Sequence, residues 1–203
     1  MIEWLFFDLG STLLDETDRT NERICETSKL LEVDESVFRN QLNETAKTHP
    51  YVIHMDLPNG RIWAQWPKRL DPLYPDAIPT LDALHKKYRL GVIDNHGKDT
   101  AILLGINRFF TTYMASAIAG FGKPDLRIFK MALEQAQCAP ENAVMIGDRL
   151  DNDIFPAKMF GMKTVWIRQG FGGVPEPMSK EYEPDYTVQS LTELKDLLLG
   201  ASS

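Results

Sequence analysis

Asp8, Lys123, Asp148, Asp151 and Asp153 are the side chains in this sequence best suited to handling an anionic substrate. The stretch from Val144 to Asp153 reads VMIGDRLDND, an apolar run that ends at Gly147 and then releases three aspartates within one loop. Carboxylates held that close repel one another, and a hard divalent cation relieves the cost. Mg²⁺ takes oxygen ligands, usually one or two carboxylates completed by water and substrate oxygens. The competing reading is a solvated acidic loop in which Asp151 or Asn152 caps the next helix, with Pro156 tolerated in its first turn. Capping accounts for one acid, but not for Asp148 directly after a buried strand.

The stretch from Trp4 to Asp15, WLFFDLGSTLLD, has a related form: an apolar run leads into Asp8, followed by Gly10, Ser11 and Thr12. Continuous apolar character over so few residues fits a central parallel strand covered on both faces. Asp8 then stands at the strand's carboxyl end, the edge where open α/β sheets bind ligands, and Gly10 allows a tight turn beside it. Lys123, in GKPD ahead of a helix start, is the matching counter-charge. Two or three acids, one divalent cation and a phosphate leave negative charge that an ammonium offsets.

Alternating elements position these residues. Polar sequence with apolar stripes, Ile24 and Leu31, then Phe38, Leu42 and Ala46, predicts two amphipathic helices parted near Asp34. Arg61 to Leu70, with Trp63 and Trp66, reads as a third helix packing its tryptophans inward. A helix through Ile78, Leu81, Leu84 and Tyr88 leads to a strand from Leu90 to Ile93, and a short helix follows, ending at Gly105. A strand from Tyr113 to Ser116, a helix from Asp125, a strand from Ala143 to Ile146, a helix ending at Gly161 and a strand from Thr164 to Ile167 continue the pattern. Gln169 to Pro184 reads as a surface loop, and Ser190 with Glu193 forms a capping box for the last helix. This alternation predicts an α/β fold, a doubly wound parallel sheet with right-handed crossovers. Residues 1–15 and 75–203 form its core, and residues 16–74 are a helical insert placed over the reactive edge.

The chain has 203 residues and a formal net charge of −7, enough for one globular domain with a smaller insert. The acidic balance, without clustered Lys and Arg, argues against nucleic acid as a partner. Cys25 and Cys138 have no paired spacing, so a disulfide framework and a thiolate zinc site are not expected, and a reducing cytoplasm is the simplest compartment. No signal-peptide pattern opens the sequence and no apolar stretch is long enough to span a bilayer, so neither secretion nor membrane insertion is expected.

The order DLGST, Asp94-Asn95 after a strand, GKPDLRIF and GDRLDND resembles the haloacid dehalogenase (HAD) superfamily of hydrolases over about residues 2–168. Most of that family are Mg²⁺-dependent phosphatases with a Rossmann-like core and a helical cap after the first strand. The resemblance implies that Asp8 is the nucleophile, forming an aspartyl-phosphate that water hydrolyses, and that it also ligates Mg²⁺. Asp148, Asp153 and the Gly10 carbonyl would complete the protein's metal ligands. Lys123 would hold Asp8 and the phosphoryl group in line, and Thr12 would orient the nucleophile. Ser11, Asp94, Asn95 and the turn amides would bind phosphate. The implied substrate is a small phosphorylated metabolite.

Two positions depart from the family pattern. The phosphatases usually carry a second aspartate two residues after the nucleophile, which protonates the leaving alkoxide, and here that position is Gly10. Losing such an acid costs about 10²–10⁴ in rate, about 3 to 5 kcal/mol of barrier, so acyl and aryl phosphates are the expected substrates. Asp94 stands where the family usually has Ser or Thr. It is either protonated by its acidic neighbours, or paired with Lys123 and His96, or a turn cap. Two other readings keep the same site: a phosphate-binding protein with little or no turnover, and a 2-haloacid dehalogenase, whose carboxylate displaces halide without a leaving-group acid.

Overall fold

The computed structural model describes residues 1–47, 63–97, 99–170 and 173–200. Its strands are β1 (Trp4–Phe7), β2 (Arg89–Asp94), β3 (Thr112–Ala115), β4 (Ala143–Gly147), β5 (Lys163–Ile167) and β6 (Tyr186–Val188). They form one parallel sheet in the order β3-β2-β1-β4-β5-β6. The helices are α1 (Thr17–Leu30), α2 (Glu35–Ala46), α3 (Ala77–Leu84), α4 (Thr100–Leu103), α5 (Ser116–Ala119), α6 (Leu126–Ala136), α7 (Phe155–Met159) and α8 (Leu191–Leu199).

Every residue of β1 is buried, because alternate side chains serve opposite faces of the sheet and both faces are covered. Leu5 and Phe7 join Val92 and Ile146 beneath Leu81 and Leu84 of α3 and Leu191 and Leu194 of α8. Trp4 and Phe6 join Met145 beneath Phe129 and Leu133 of α6. Each fully buried phenylalanine contributes about 1.5–3 kcal/mol by transfer from water, so Phe6 and Phe7 anchor β1 firmly in the sheet. The expected Rossmann-like α/β architecture is present, and β1 lies at its centre.

Between β1 and α3 the chain builds a second, smaller apolar cluster. Ile24 of α1 meets Phe38, Leu42 and Ala46 of α2, and Trp63 closes the cluster 5.7 Å from the Phe38 ring. Asp34 separates the two helices as foreseen, its side chain accepting from the backbone N–H groups of Ser36 and Val37 as an N-cap. The expected helix over Arg61 to Leu70 is absent from Trp63 onward. Pro67 explains this, since it disfavours helical geometry at Trp66 and removes a backbone donor. The tryptophans still pack inward: the Arg23 guanidinium lies 4.8 Å from the centre of the Trp63 ring and 4.1 Å from that of Trp66. Arg61 lies outside the described residues.

This segment leaves and rejoins the sheet region at one crossing. The Asp15 N–H donates to the Pro72 carbonyl (2.8 Å) and the Tyr74 N–H to the Leu13 carbonyl (2.9 Å). At the far end of the sheet, β6 is an unanticipated strand that follows the expected loop and, among the described residues, pairs only with β5. The Ser190 hydroxyl accepts from the Glu193 N–H, but the Glu193 carboxylate reaches the N–H of Gln189 rather than that of Ser190. Among the described residues no helix is long and apolar enough to cross a membrane.

Candidate active site

The strand order reverses between β1 and β4, which are neighbours in the sheet although β2 and β3 intervene in sequence. Connections leaving the carboxyl ends of such a pair diverge and open a crevice. In register, Phe7 faces Ile146, so Asp8 and Asp148 leave adjacent strands on the same rim. A single π-helical turn, Leu150–Ile154, widens the loop after β4 and carries Asp153 back toward that rim.

Carboxylate oxygens of Asp8, Asp148 and Asp153 lie within 4.8 Å of one another, and all three residues are buried. Lys123 bridges two of them: its Nζ donates to Asp8 Oδ1 (2.5 Å) and to Asp153 Oδ1 (2.6 Å). Burial followed by the nearby charges of Asp153 and Asp94 pushes the Asp8 carboxyl up to about 8, even with the ammonium beside it. Burial and the charges of Asp8 and Asp153 also raise Asp148. Three acids sharing one cation are short of positive charge, and hard oxygen donors so grouped fit a Mg²⁺ ion. Asp151 takes no part in this cluster or in a helix cap; it pairs with Arg149 at 2.9 Å.

Gly147 makes the cluster possible. A Cβ there would stand 2.4 Å from Cγ of Asp153, so only glycine lets that carboxylate lie against the strand end. Gly147→Ala is expected to cost about 1–3 kcal/mol by overpacking and to push Asp153 off Lys123. Thermal melting together with Mg²⁺ titration checks this, and an unchanged melting temperature with unchanged Mg²⁺ affinity would refute it.

Asp94, fully buried, accepts from the backbone N–H of His96 (2.7 Å) and lies 3.0 Å from His96 Nδ1. Burial opposes its ionisation, but these bonds and the Lys123 charge hold its carboxyl below the usual range. Its carboxylate thus caps the turn at His96 and pairs with the ring. Ser11, rather than Gly10, takes the left-handed conformation of the turn, with φ 50°. The Ser11 hydroxyl donates to Glu16 Oε2 at 2.9 Å. Asn95 uses both ends of its amide on the Lys123 backbone, donating to the carbonyl (3.0 Å) and accepting from the N–H (2.8 Å). Its contacts thus position the lysine. Thr12 is buried, its hydroxyl has no partner among the described residues, and it is not among the residues that line the cavity.

That cavity, about 590 Å³, is walled by Asp8, Gly10, Lys123 and Asp148 on the sheet side and by Arg19, Asn21 and Asn43 of α1 and α2, with Trp66, opposite them. Sequence reasoning did not mark Glu16, Arg19 or Asn21 as site residues. Arg19 ion-pairs with Glu16 and, through Nε at 2.7 Å, with Asp71, so the positive charge on this wall is already matched by carboxylates.

Comparison with known proteins agrees with this geometry. A HAD-hydrolase-like family model matches residues 120–194. The glyceraldehyde 3-phosphate phosphatase of Methanopyrus kandleri is 32% identical, the match covering 98% of this chain and 97% of that protein. The enzyme of the same name from Pyrococcus furiosus is 33% identical, with 97% and 93% covered. The crystal structure of a HAD phosphatase from Thermococcus onnurineus shares the fold with a TM-score of 0.63 over 99% of both chains, at 22% identity. Identity above three residues in ten along nearly the whole of a relative named as a phosphatase, carried on this fold, makes the chain a member of the HAD superfamily of hydrolases, on its phosphatase-like branch.

Proposed function

We propose that this protein is a Mg²⁺-dependent phosphatase of small phosphorylated metabolites that works through an aspartyl-phosphate on Asp8. The observation that carries the reading is the Lys123 ammonium lodged between Asp8 and Asp153, with Asp148 completing the acid cluster at the sheet's switch point. Asp8, Asp148 and Asp153 would hold the ion, with the Gly10 carbonyl as the backbone ligand expected from the family. When bound, Mg²⁺ supplies charge neutralisation for the phosphoryl oxygens and for the acids themselves.

The chain's own residues do the rest. An Asp8 oxygen attacks phosphorus while Lys123 fixes the carboxylate's orientation and balances charge on the transferred group. Its Asn95 clamp limits the freedom of the lysine backbone. Residues 16–74 act as a helical cap, with α1, α2 and Trp66 excluding water and meeting the body of the substrate. The names of the relatives make glyceraldehyde 3-phosphate the first substrate to test.

Phosphate release from that compound and from p-nitrophenyl phosphate is expected to need added Mg²⁺ and to fall about 100-fold or more with EDTA. Turnover indifferent to EDTA refutes the reading. Mg²⁺ binding without turnover on a broad panel moves the protein to a phosphate-binding role, and metal-independent halide release from 2-haloacids moves it to dehalogenation.

A further inference from the structure

The place left empty by the missing second aspartate is not empty in space. A Cβ built on Gly10 would lie 2.8 Å from His96 Cε1 and 3.0 and 3.2 Å from the two carboxylate oxygens of Glu16. The imidazole therefore occupies the volume into which a residue-10 side chain would project. It is held there from two sides. Nδ1 sits 3.0 Å from the buried Asp94, and Nε2 sits 3.5 Å from Glu16 Oε1, a looser contact that leaves this nitrogen the more available donor. Both His96 and Asp8 line the cavity, and the ring keeps 31% of its surface accessible.

We propose that His96, aimed by Asp94 and Glu16, is the general acid and base of this site in place of the carboxyl group that Gly10 lacks. The inference rests on the phosphatase reading and names a further catalytic residue within it. In the first step an Asp8 oxygen bonds to phosphorus as the P–O bond to the substrate breaks. The electron pair leaves on the ester oxygen, which takes the proton from His96 Nε2 and departs as the alcohol. In the second step water attacks the aspartyl-phosphate and gives a proton to the now neutral imidazole. The bond from Asp8 to phosphorus breaks, returning the carboxylate, hydrogen phosphate and the imidazolium.

The surroundings agree with this assignment. Both ring nitrogens face carboxylates, Asp94 at 3.0 Å and Glu16 at 3.5 Å, and two anionic partners favour the ring that carries the proton to be given. Glu16 is itself held by Arg19 and by the Ser11 hydroxyl as well as by His96, which makes it the orienting group. The site is then not confined to acyl and aryl phosphates.

The test compares wild type, His96→Gln, His96→Ala, Glu16→Gln, Asp8→Asn and the double variant Gly10→Asp/His96→Ala on two esters. p-Nitrophenyl phosphate has a leaving group that needs no proton; glycerol 3-phosphate has one that does. Rates are read as the alkyl-to-aryl ratio within each variant, which does not depend on the folded fraction. Both His96 single variants are expected to lower that ratio about 100-fold, while the double variant, in which the ring no longer blocks residue 10 and the Glu16 carboxylate has space to give way, regains at least about tenfold. An unchanged ratio in both His96 variants overturns the proposal, as does a fall in Glu16→Gln that His96→Gln does not share. Failure of the double variant to recover the alkyl ester also counts against it. A wild type inert on both esters and indistinguishable from Asp8→Asn removes the phosphatase reading itself, and this proposal with it.

Discussion

Asp8→Asn is expected to lower phosphate release by about 10⁴-fold or more while leaving the fold intact. The amide is isosteric with the carboxylate but does not provide the anionic oxygen that attacks phosphorus. The substitution also removes one of three clustered acids, and Lys123 keeps its 2.6 Å bond to Asp153, so the metal-free melting temperature should not fall by more than a few degrees. The discriminating measurement is single-turnover hydrolysis with saturating Mg²⁺, together with acid quenching to look for labelled protein. A variant retaining more than about 1% of the wild-type rate would show that some other group attacks phosphorus.

Lys123→Met is expected to act on stability as well as on rate. The lysine side chain is 1% exposed and is the direct ion-pair partner of both Asp8 and Asp153. Removing one member of a buried pair leaves uncompensated charge and costs about 3–5 kcal/mol. For a chain of this length that corresponds to a drop of about 10 °C in melting temperature in EDTA. Added Mg²⁺ should recover part of the loss, because the ion supplies the charge the acids lack. Turnover should stay about 10²–10³-fold down, because the ion does not replace the ammonium's alignment of the nucleophile. Equal melting temperatures for variant and wild type in EDTA would mean that the ion pairs of Lys123 add nothing to the stability of the metal-free protein.

These effects fall on residues that were readable in the sequence, and the reason is local. Asp8 and Asp148 each follow a continuous apolar run, so position along a strand and position in the site are one fact. The adjacency of β1 and β4 then brings them together. Lys123 and Asp153 were legible through the family pattern, but not the bridge between them. That depends on Asn95, far away in sequence, and on the bare backbone of Gly147.

What escaped was set by contacts across the fold. Glu16 and His96 share one volume only because the turn at Ser11 brings the residue ahead of α1 to the loop that follows β2, and no spacing in the chain announces it. Gly10 invited the inference of a missing acid, while a histidine from another loop fills its place. The failed helix near Trp66 carried its own warning in Pro67, which the apolar pattern outweighed. β6 is only three residues long with two of them exposed, too brief for alternation to mark it among the polar residues around it.

The crossing where Asp15 meets Pro72 and Leu13 meets Tyr74 brings both ends of the intervening chain to one doorway. Residues can be added or removed beyond that doorway without shifting any strand, at a closure cost that rises only about 0.6 kcal/mol for each doubling of loop length. The sheet with its acids thereby becomes a chassis. The layer above it can be exchanged to suit a different carbon skeleton while the end that grips phosphorus stays unaltered.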